Sequence, residues 1–337
     1  MKNGEINVQE LFKIEDVTNA VNKLAPETKA GIASLTKILK SKAEPSIRPV
    51  KQCKNPYVCI FKDYCLRDLP AKLIYSIIGK FSEKKMNQLL DAGIVEIENV
   101  PEEFISESFK KHFHAMKYDV VSIEKAGIQN ELEQIICPIY FLDYETYATA
   151  IPIFDGYRPY QNIVFQYSLH IQKSADSKLE HFSFLADKLT DPTREMAKTL
   201  KKLIGKTGTP IAWNMGFEQG CNEGMGERAE EFRKFFADIN SRMYDLMSVF
   251  KKGLYIHKDF YGSASLKKVL PVLVPSLSYG ELNIHEGMTA SNSWYEMVNG
   301  KTTRKKQKEI YADLLKYCEL DTLAMVEILK ELRRLIK

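Results

Sequence analysis

Apolar residues change their spacing near residue 137. Before that point they recur at helical intervals. Val17-Thr18-Asn19-Ala20-Val21 and Leu35-Thr36-Lys37-Ile38-Leu39 predict helices, and Glu44-Pro45-Ser46-Ile47-Arg48-Pro49 interrupts the pattern. Leu69-Pro70 opens a further helical segment, with Leu73, Ile74, Ile77 and Ile78 on one stripe. Leu89-Leu90-Asp91-Ala92-Gly93-Ile94, closing with Asn99-Val100-Pro101, admits two readings. It is a helix–hairpin–helix unit whose hairpin amides would hold a nucleic-acid backbone, or a helix stopped by a glycine cap with its hydrophobic contact. His112-Phe113-His114 offers no partner at ligand spacing and is expected at the surface.

From Cys137 onward a two-residue alternation takes over. Cys137-Pro138-Ile139-Tyr140-Phe141-Leu142-Asp143-Tyr144-Glu145-Thr146-Tyr147 is an aromatic and β-branched run that predicts a buried strand. Residues 162–172 alternate, with Ile163, Phe165, Tyr167, Leu169 and Ile171 against Val164, Gln166, Ser168, His170 and Gln172, which predicts a half-buried strand. Residues 179–185 make a third, and three consecutive strands predict an antiparallel meander. Asp191-Pro192-Thr193 starts a helix, with Asp191 as N-cap and Pro192 in the first turn, and that helix ends near Gly205. Pro210-Ile211-Ala212-Trp213-Asn214 is a short buried strand, with a helix from about Phe217. The order βββαβα, followed by more helices, predicts an α/β protein with a ribonuclease H-like mixed sheet flanked by helices. A smaller, mostly α-helical region precedes it. The expected divisions are a helical segment with a cysteine cluster (1–66), a helical linker (67–136) and the sheet domain (137–337).

Composition narrows the class without naming a partner. The chain has 337 residues, 45% hydrophobic and 27% charged, ordinary values for a globular protein. A net charge of +4 and a pI near 8.5 permit a polyanionic partner without demanding one. No apolar run approaches the length of a membrane span, so a cytoplasmic protein without membrane contact is expected. Six cysteines are too sparse for a disulfide scaffold.

Candidate chemistry gathers at strand ends and on the last helix. Side chains alternate along a strand, so Asp143 and Glu145 share one face and Tyr144 takes the other. Carboxylates at the end of an apolar strand are costly to desolvate unless a cation meets them, and oxygen ligands suit Mg²⁺ or Mn²⁺. The bland alternative is a solvated sheet edge. Glu218 lies just past a strand end at a helix start, and Asp245 is another candidate acid. Tyr317 and Asp321 stand one turn apart on one helix face; Tyr317 is either a catalytic group or an amphipathic core residue. Cys53, Cys59 and Cys65 are evenly spaced around an Asn55-Pro56 turn. They suit thiolates on one iron–sulfur or zinc centre, or a small hydrophobic knot of reduced thiols.

Asp143-x-Glu145, Asn214-x-x-Phe217-Glu218 and Tyr317-x-x-x-Asp321 resemble, in order and context, the three motifs of DEDD-type 3′–5′ exonucleases, and the tyrosine points to the tyrosine subclass. More closely, residues from about 137 to 335, including Gly262-Ser263-Ala264-Ser265-Leu266-Lys267-Lys268-Val269-Leu270-Pro271, resemble the family named domain of unknown function 2779. The resemblance implies a nuclease in which Asp143, Glu145, Glu218 and Asp321 hold two Mg²⁺ or Mn²⁺ ions and Tyr317 orients the attacking water. It implies a nucleic-acid partner, DNA ahead of RNA. The second motif usually offers aspartate where this chain has Glu218. Asn214, Ser265, Lys267 and Lys268 are candidate nucleic-acid contacts, with Ser265 capping a helix whose N-terminus would receive a phosphate. Lys301-Thr302-Thr303-Arg304-Lys305-Lys306-Gln307-Lys308 is a solvated helix start or a further contact. The cysteine run resembles the cysteine-rich tail of RecB-type nucleases that carry an iron–sulfur cluster. Those proteins use an additional, more N-terminal cysteine and a Gly-Glu-x-x-Lys motif. Neither occurs here, so an incomplete cluster is expected, as is a chain corresponding to the C-terminal portion of a longer architecture or to a relative without its front. Two rival expectations stand beside the exonuclease: a catalytically silent ribonuclease H-like binding module, and a structural protein built on the cysteine knot.

Overall fold

A computed structural model describes residues 1–45, 53, 57–67 and 72–337. Residues 46–49 of the expected break, the Asn55-Pro56 turn and Leu69-Pro70 lie outside the described residues. The chain forms two compact units, Asn3–Ser106 and Glu107–Lys337, the latter with Met1–Lys2.

The first unit contains α1 (Val8–Leu11), α2 (Thr18–Lys40), α3 (Lys62–Leu66) and α4 (Glu83–Asp91). The apolar stripe of α2 is exposed along Val21, Leu24, Ile32 and Leu35. Helix α4 is closed at both ends by its own sequence. The Ser82 hydroxyl accepts the Lys85 N–H at 3.2 Å, satisfying an orphan donor. At the other end Gly93, with φ of 73°, donates to the Leu90 carbonyl and Ile94 donates to that of Leu89. That paired arrangement is the glycine-capped helix end. Short 3₁₀ turns at Ile97–Asn99 and Glu102–Phe104 follow it. Ile74, Ile77, Met86, Leu89 and Ile97 make the buried centre of this unit.

The second unit runs α5 (Lys110–Lys117), β1 (Ser122–Ile123), α6 (Lys125–Leu132), β2 (Ile139–Tyr147), β3 (Ile163–Gln172), β4 (Glu180–Leu185), α7 (Thr193–Leu203), β5 (Thr209–Ala212), α8 (Gly216–Arg228), α9 (Arg233–Arg242), β6 (Tyr244–Asp245), α10 (Ser248–Lys251), β7 (Tyr255–Ile256), α11 (Leu266–Leu273), α12 (Gly287–Val298) and α13 (Arg304–Ile336). It is a mixed α/β unit. Five strands lie in the order β4-β3-β2-β5-β6, and β1 pairs with β7 in a separate ribbon. Strands β2, β3 and β4 form the expected antiparallel meander, while β5 runs parallel to both β2 and β6. Helix α7 begins one residue later than expected, although the Asp191 carboxylate still accepts the Thr193 N–H at 3.1 Å. His112 and His114 on α5 are half-buried beside buried Phe113.

Alternation along β2 sorts the helices into two layers. Tyr140, Leu142 and Tyr144 pack with Met196, Leu200 and Ile239 of α7 and α9. Ile139 and Phe141 face Met325, Ile328 and Leu329 of α13, and Asp143 and Glu145 fall on that same α13 side by the two-residue period. Strand β3 is buried on both faces over almost its whole length, not half-buried. A register shift opposite Glu145/Thr146 breaks the alternation at Phe165. Ile163 and Phe165 join a cluster with Trp294 and Tyr317, whereas Val164, Tyr167 and Leu169 join the α7 side. The polar positions of β3 lie under α13: Gln166 donates to the Leu314 carbonyl at 2.7 Å. Helix α13 has 33 residues, about 50 Å at 1.5 Å per residue. It is started by Thr303, whose hydroxyl accepts the Lys306 N–H at 3.3 Å. Ahead of β5, Gly208 has φ of +88°, and a Cβ there would stand 2.0 Å from the Pro138 carbonyl oxygen. Only glycine fits that approach. Among the described residues, no helix is long and apolar enough to cross a membrane.

Candidate metal centre

Three elements deliver the acidic side chains to one cleft. Strand β2 supplies Asp143 and Glu145, the first turn of α8 supplies Glu218, and α13 supplies Asp321 with Tyr317 one turn before it. Glu145 and Glu218 are 8% and 3% exposed, while Asp143 and Asp321 are only partly buried and so leave the cleft an opening. Ligand atoms of Asp143, Glu145 and Cys318 lie within 4.8 Å of one another. The Cys318 thiol donates to Asp143 Oδ2 at 3.5 Å. Asp321 Oδ1 accepts a hydrogen bond from the Tyr279 hydroxyl, and the Tyr279 and Tyr317 rings are tilted with centroids 6.2 Å apart. Gly287 at the start of α12 leaves room beside Glu145, since a Cβ there would lie 3.9 Å from Oε2.

The cluster is electrostatically frustrated as it stands. Burial, then the charges of Asp321, Glu145 and Glu218, hold the Asp143 carboxyl well above the usual carboxylate range. Glu145 is raised chiefly by burial and by Asp321, with Lys267 offsetting part of the effect. Burial pushes Glu218 up to about 8, and Asp245 adds to the rise. Asp321 is pushed by burial to about 6, although the Tyr279 hydrogen bond and Lys267 pull it back. One oxygen of Glu218, Oε2, is buried without a hydrogen-bond partner, a costly arrangement for a carboxylate. Clustered hard oxygen donors with an orphaned atom among them fit a divalent cation of the Mg²⁺ or Mn²⁺ class. The soft thiol of Cys318 is held protonated by burial and by the adjoining carboxylates, so it is a neutral neighbour. Burial and Asp321 likewise hold the Tyr317 and Tyr279 hydroxyls far above the ordinary phenol range.

The remaining sequence candidates are placed around this cleft. Asp245 adjoins Glu218, whose proton affinity it raises, and accepts the Asn214 N–H at 2.9 Å and the Met247 N–H at 3.1 Å. That bond supports Asn214 at a positive φ of 71°, the sharp turn that feeds α8 and points Glu218 inward. The Asn214 side chain accepts from Lys251 at 3.0 Å and is solvent-exposed. Ser265 precedes α11 as its N-cap, but its side chain makes no capping bond to the helix amides, contrary to the expected cap. Lys267 and Lys268 diverge, because neighbours on a helix point about 100° apart. The Lys267 amine lies 5.7 and 5.8 Å from the Tyr279 and Tyr317 ring centres, whereas Lys268 lies over Tyr261. Residues of the basic run at 301–308 are mostly exposed. In the other unit, Cys53 and Cys59 are joined through the backbone, the Cys59 N–H reaching the Cys53 carbonyl at 2.9 Å. Sequence reasoning missed Cys318 and Tyr279. Cys318 was detectable in principle, since it follows Tyr317 on α13, but Tyr279 comes from an irregular loop with no period to reveal it.

Beside Glu145 a groove of about 460 Å³ runs between Thr146, Phe217 and Met288. Phe217 and Met288 are 41% and 77% exposed. On the other flank, Lys267, Tyr279 and His285 line a second hollow of about 350 Å³.

The fold and the cleft therefore define an α/β unit with a buried carboxylate cluster under its longest helix. Residues 140–265 match the family described as Domain of unknown function (DUF2779). That segment contains Asp143, Glu145 and Glu218 and stops before Tyr317 and Asp321. The chain is similar to the uncharacterized protein MG366 of Mycoplasma genitalium, at 25% identity over 59% of this chain and 32% of that protein. It is also similar to the uncharacterized protein UU173 of Ureaplasma parvum, at 24% identity over 96% of this chain and 53% of that protein. The chain thus spans about half or less of the length of the curated relatives it matches. No solved structure matches it.

Proposed function

We propose that the second unit is a metal-dependent 3′–5′ exonuclease that hydrolyses nucleic-acid phosphodiesters. The observation that carries this reading is the convergence of Asp143, Glu145, Glu218 and Asp321, whose mutual repulsion and burial call for divalent cations. The mixed sheet entered by a three-stranded meander agrees with a ribonuclease H-like domain, and the 3′–5′ polarity comes from the resemblance to DEDD-type exonucleases. Asp143, Glu145, Glu218 and Asp321 would hold two Mg²⁺ or Mn²⁺ ions. When bound, such ions would supply positive charge to stabilise phosphodiester hydrolysis.

The chain's own residues then have separable tasks. Tyr317 retains its proton, so it acts as a hydrogen-bond donor that orients the attacking water and not as the base. Tyr279 fixes the Asp321 carboxylate by donating to Oδ1. Lys267 balances part of the acidic charge and would meet a substrate phosphate. Phe217 and Met288 offer apolar surface to an unstacked base, a contact indifferent to base identity. Incubation with 3′- and 5′-labelled DNA and RNA oligonucleotides, with and without Mn²⁺, tests the proposal. Metal-dependent shortening from the 3′ end, abolished by Asp143→Asn, is expected. A chain that degrades none of these substrates, or degrades them equally well as Asp143→Asn, is not this enzyme.

A further inference from the structure

A second constellation of ligand-type side chains shares no residue with the carboxylate cleft. His170 on β3 and His181 on β4 are cross-strand partners with their rings stacked, centroids 4.4 Å apart. Glu319 of α13 reaches them, its Oε1 standing 3.6 Å from His181 Nδ1. A ring nitrogen of each histidine and an oxygen of Glu319 lie within 4.8 Å of one another.

Hydroxyls behind the histidines offer one consistent placement of the protons. Thr322 donates its hydroxyl proton to the Glu319 carbonyl at 3.1 Å. In that arrangement it accepts from its two other neighbours, Ser168 Oγ at 2.7 Å and His170 Nδ1 at 2.8 Å. Ser168 has then used its only proton, so it accepts from His181 Nε2 at 3.0 Å. A neutral imidazole carries one N–H. His170 Nε2 and His181 Nδ1 consequently keep their lone pairs, and each ring is oriented through its other nitrogen. That is the way ligating histidines are usually held. Burial lowers both rings' affinity for protons, His170 to about 4, while Glu319 pulls His181 the other way.

We propose that His170, His181 and Glu319 form a transition-metal site of the zinc class, with three protein ligands and a position left open to solvent. Two imidazoles and a carboxylate suit that class of ion, in contrast to the all-oxygen cleft. The site ties the β3–β4 hairpin to α13. Glu319 and Asp321 differ by about 200° around the helix axis, so an ion here would brace the helix that carries Asp321 without sharing a ligand with the cleft.

The test is Co²⁺ and Zn²⁺ titration of chelator-stripped full-length protein with excess Mg²⁺ present, followed by the visible absorption of low-coordinate Co²⁺. One equivalent should bind, Zn²⁺ should displace it, and Asp143→Asn should leave the signal intact. His181→Ala and Glu319→Gln should each bind roughly tenfold or more weakly. The Glu319 side chain is 46% exposed, so its variant tests the site without a threat to folding. Absence of the Co²⁺ spectrum in the parent, undiminished affinity in both ligand variants, or loss of the signal in Asp143→Asn would each overturn the assignment.

Discussion

Burial changes what each residue of the cleft can do, and the consequences separate by substitution. If Tyr317 orients the attacking water, Tyr317→Phe should leave Mn²⁺ affinity unchanged while single-turnover hydrolysis falls by about 10²–10⁴-fold. A variant that keeps its rate would remove the tyrosine from the mechanism. Asp321→Asn should act differently: it exchanges a charged oxygen for an amide and should lower metal affinity, measured by calorimetry. Glu218→Gln should have opposite effects with and without metal. Its buried, unpartnered oxygen and proton affinity near 8 mark it as a source of strain in the metal-free protein. The amide should therefore raise the metal-free melting temperature at about pH 8, while the further rise produced by Mn²⁺ shrinks. If the variant melts lower than the parent under those conditions, Glu218 is not an uncompensated charge.

At the level of elements, period decides what the sequence discloses. Strand β2 was legible because its apolar run and its two acids obey one alternation, and Tyr317 with Asp321 was legible because one helical turn links them. The carboxylate convergence itself needed motif resemblance, since no local pattern says which face of α13 meets which strand end. Strand β3 misled because alternation promised an open polar face, whereas α13 covers Gln166, Ser168 and His170 and the shift at Phe165 divides the strand between two cores. The His170–His181 pair was hidden for a related reason: the register of the β3–β4 hairpin, which sets them opposite each other, follows from a turn whose geometry the residues do not spell out. Gly208 tests the entry to β5. Its left-handed φ and its approach to Pro138 predict that Gly208→Ala costs at least about 1–3 kcal/mol. An unchanged urea midpoint would show that the backbone there relaxes freely.

For the unit as a whole, the sign of its pH response follows from the four carboxyls. Each binds its proton more tightly folded than unfolded, so the native state holds more protons than the unfolded chain between the two affinities. Stability of the metal-free protein should then be greatest in mild acid and fall as pH rises through about 6, for Asp321, and about 8, for Glu218. Cations should abolish that decline, so the Mn²⁺-induced rise in melting temperature should be larger near pH 8 than near pH 5.5. Equal rises at both values would mean the ion binds elsewhere. The placement of α13 also bears on where this chain can be cut. A fragment ending at residue 265, where the family match stops, keeps three of the four acids but loses Asp321, Tyr279 and the helix roofing one side of the sheet. Phe141, Ile139 and Ile211, all fully buried in the intact unit, would then face water. Such a fragment should be recovered as aggregate, and its inactivity would say nothing about the chemistry of the family.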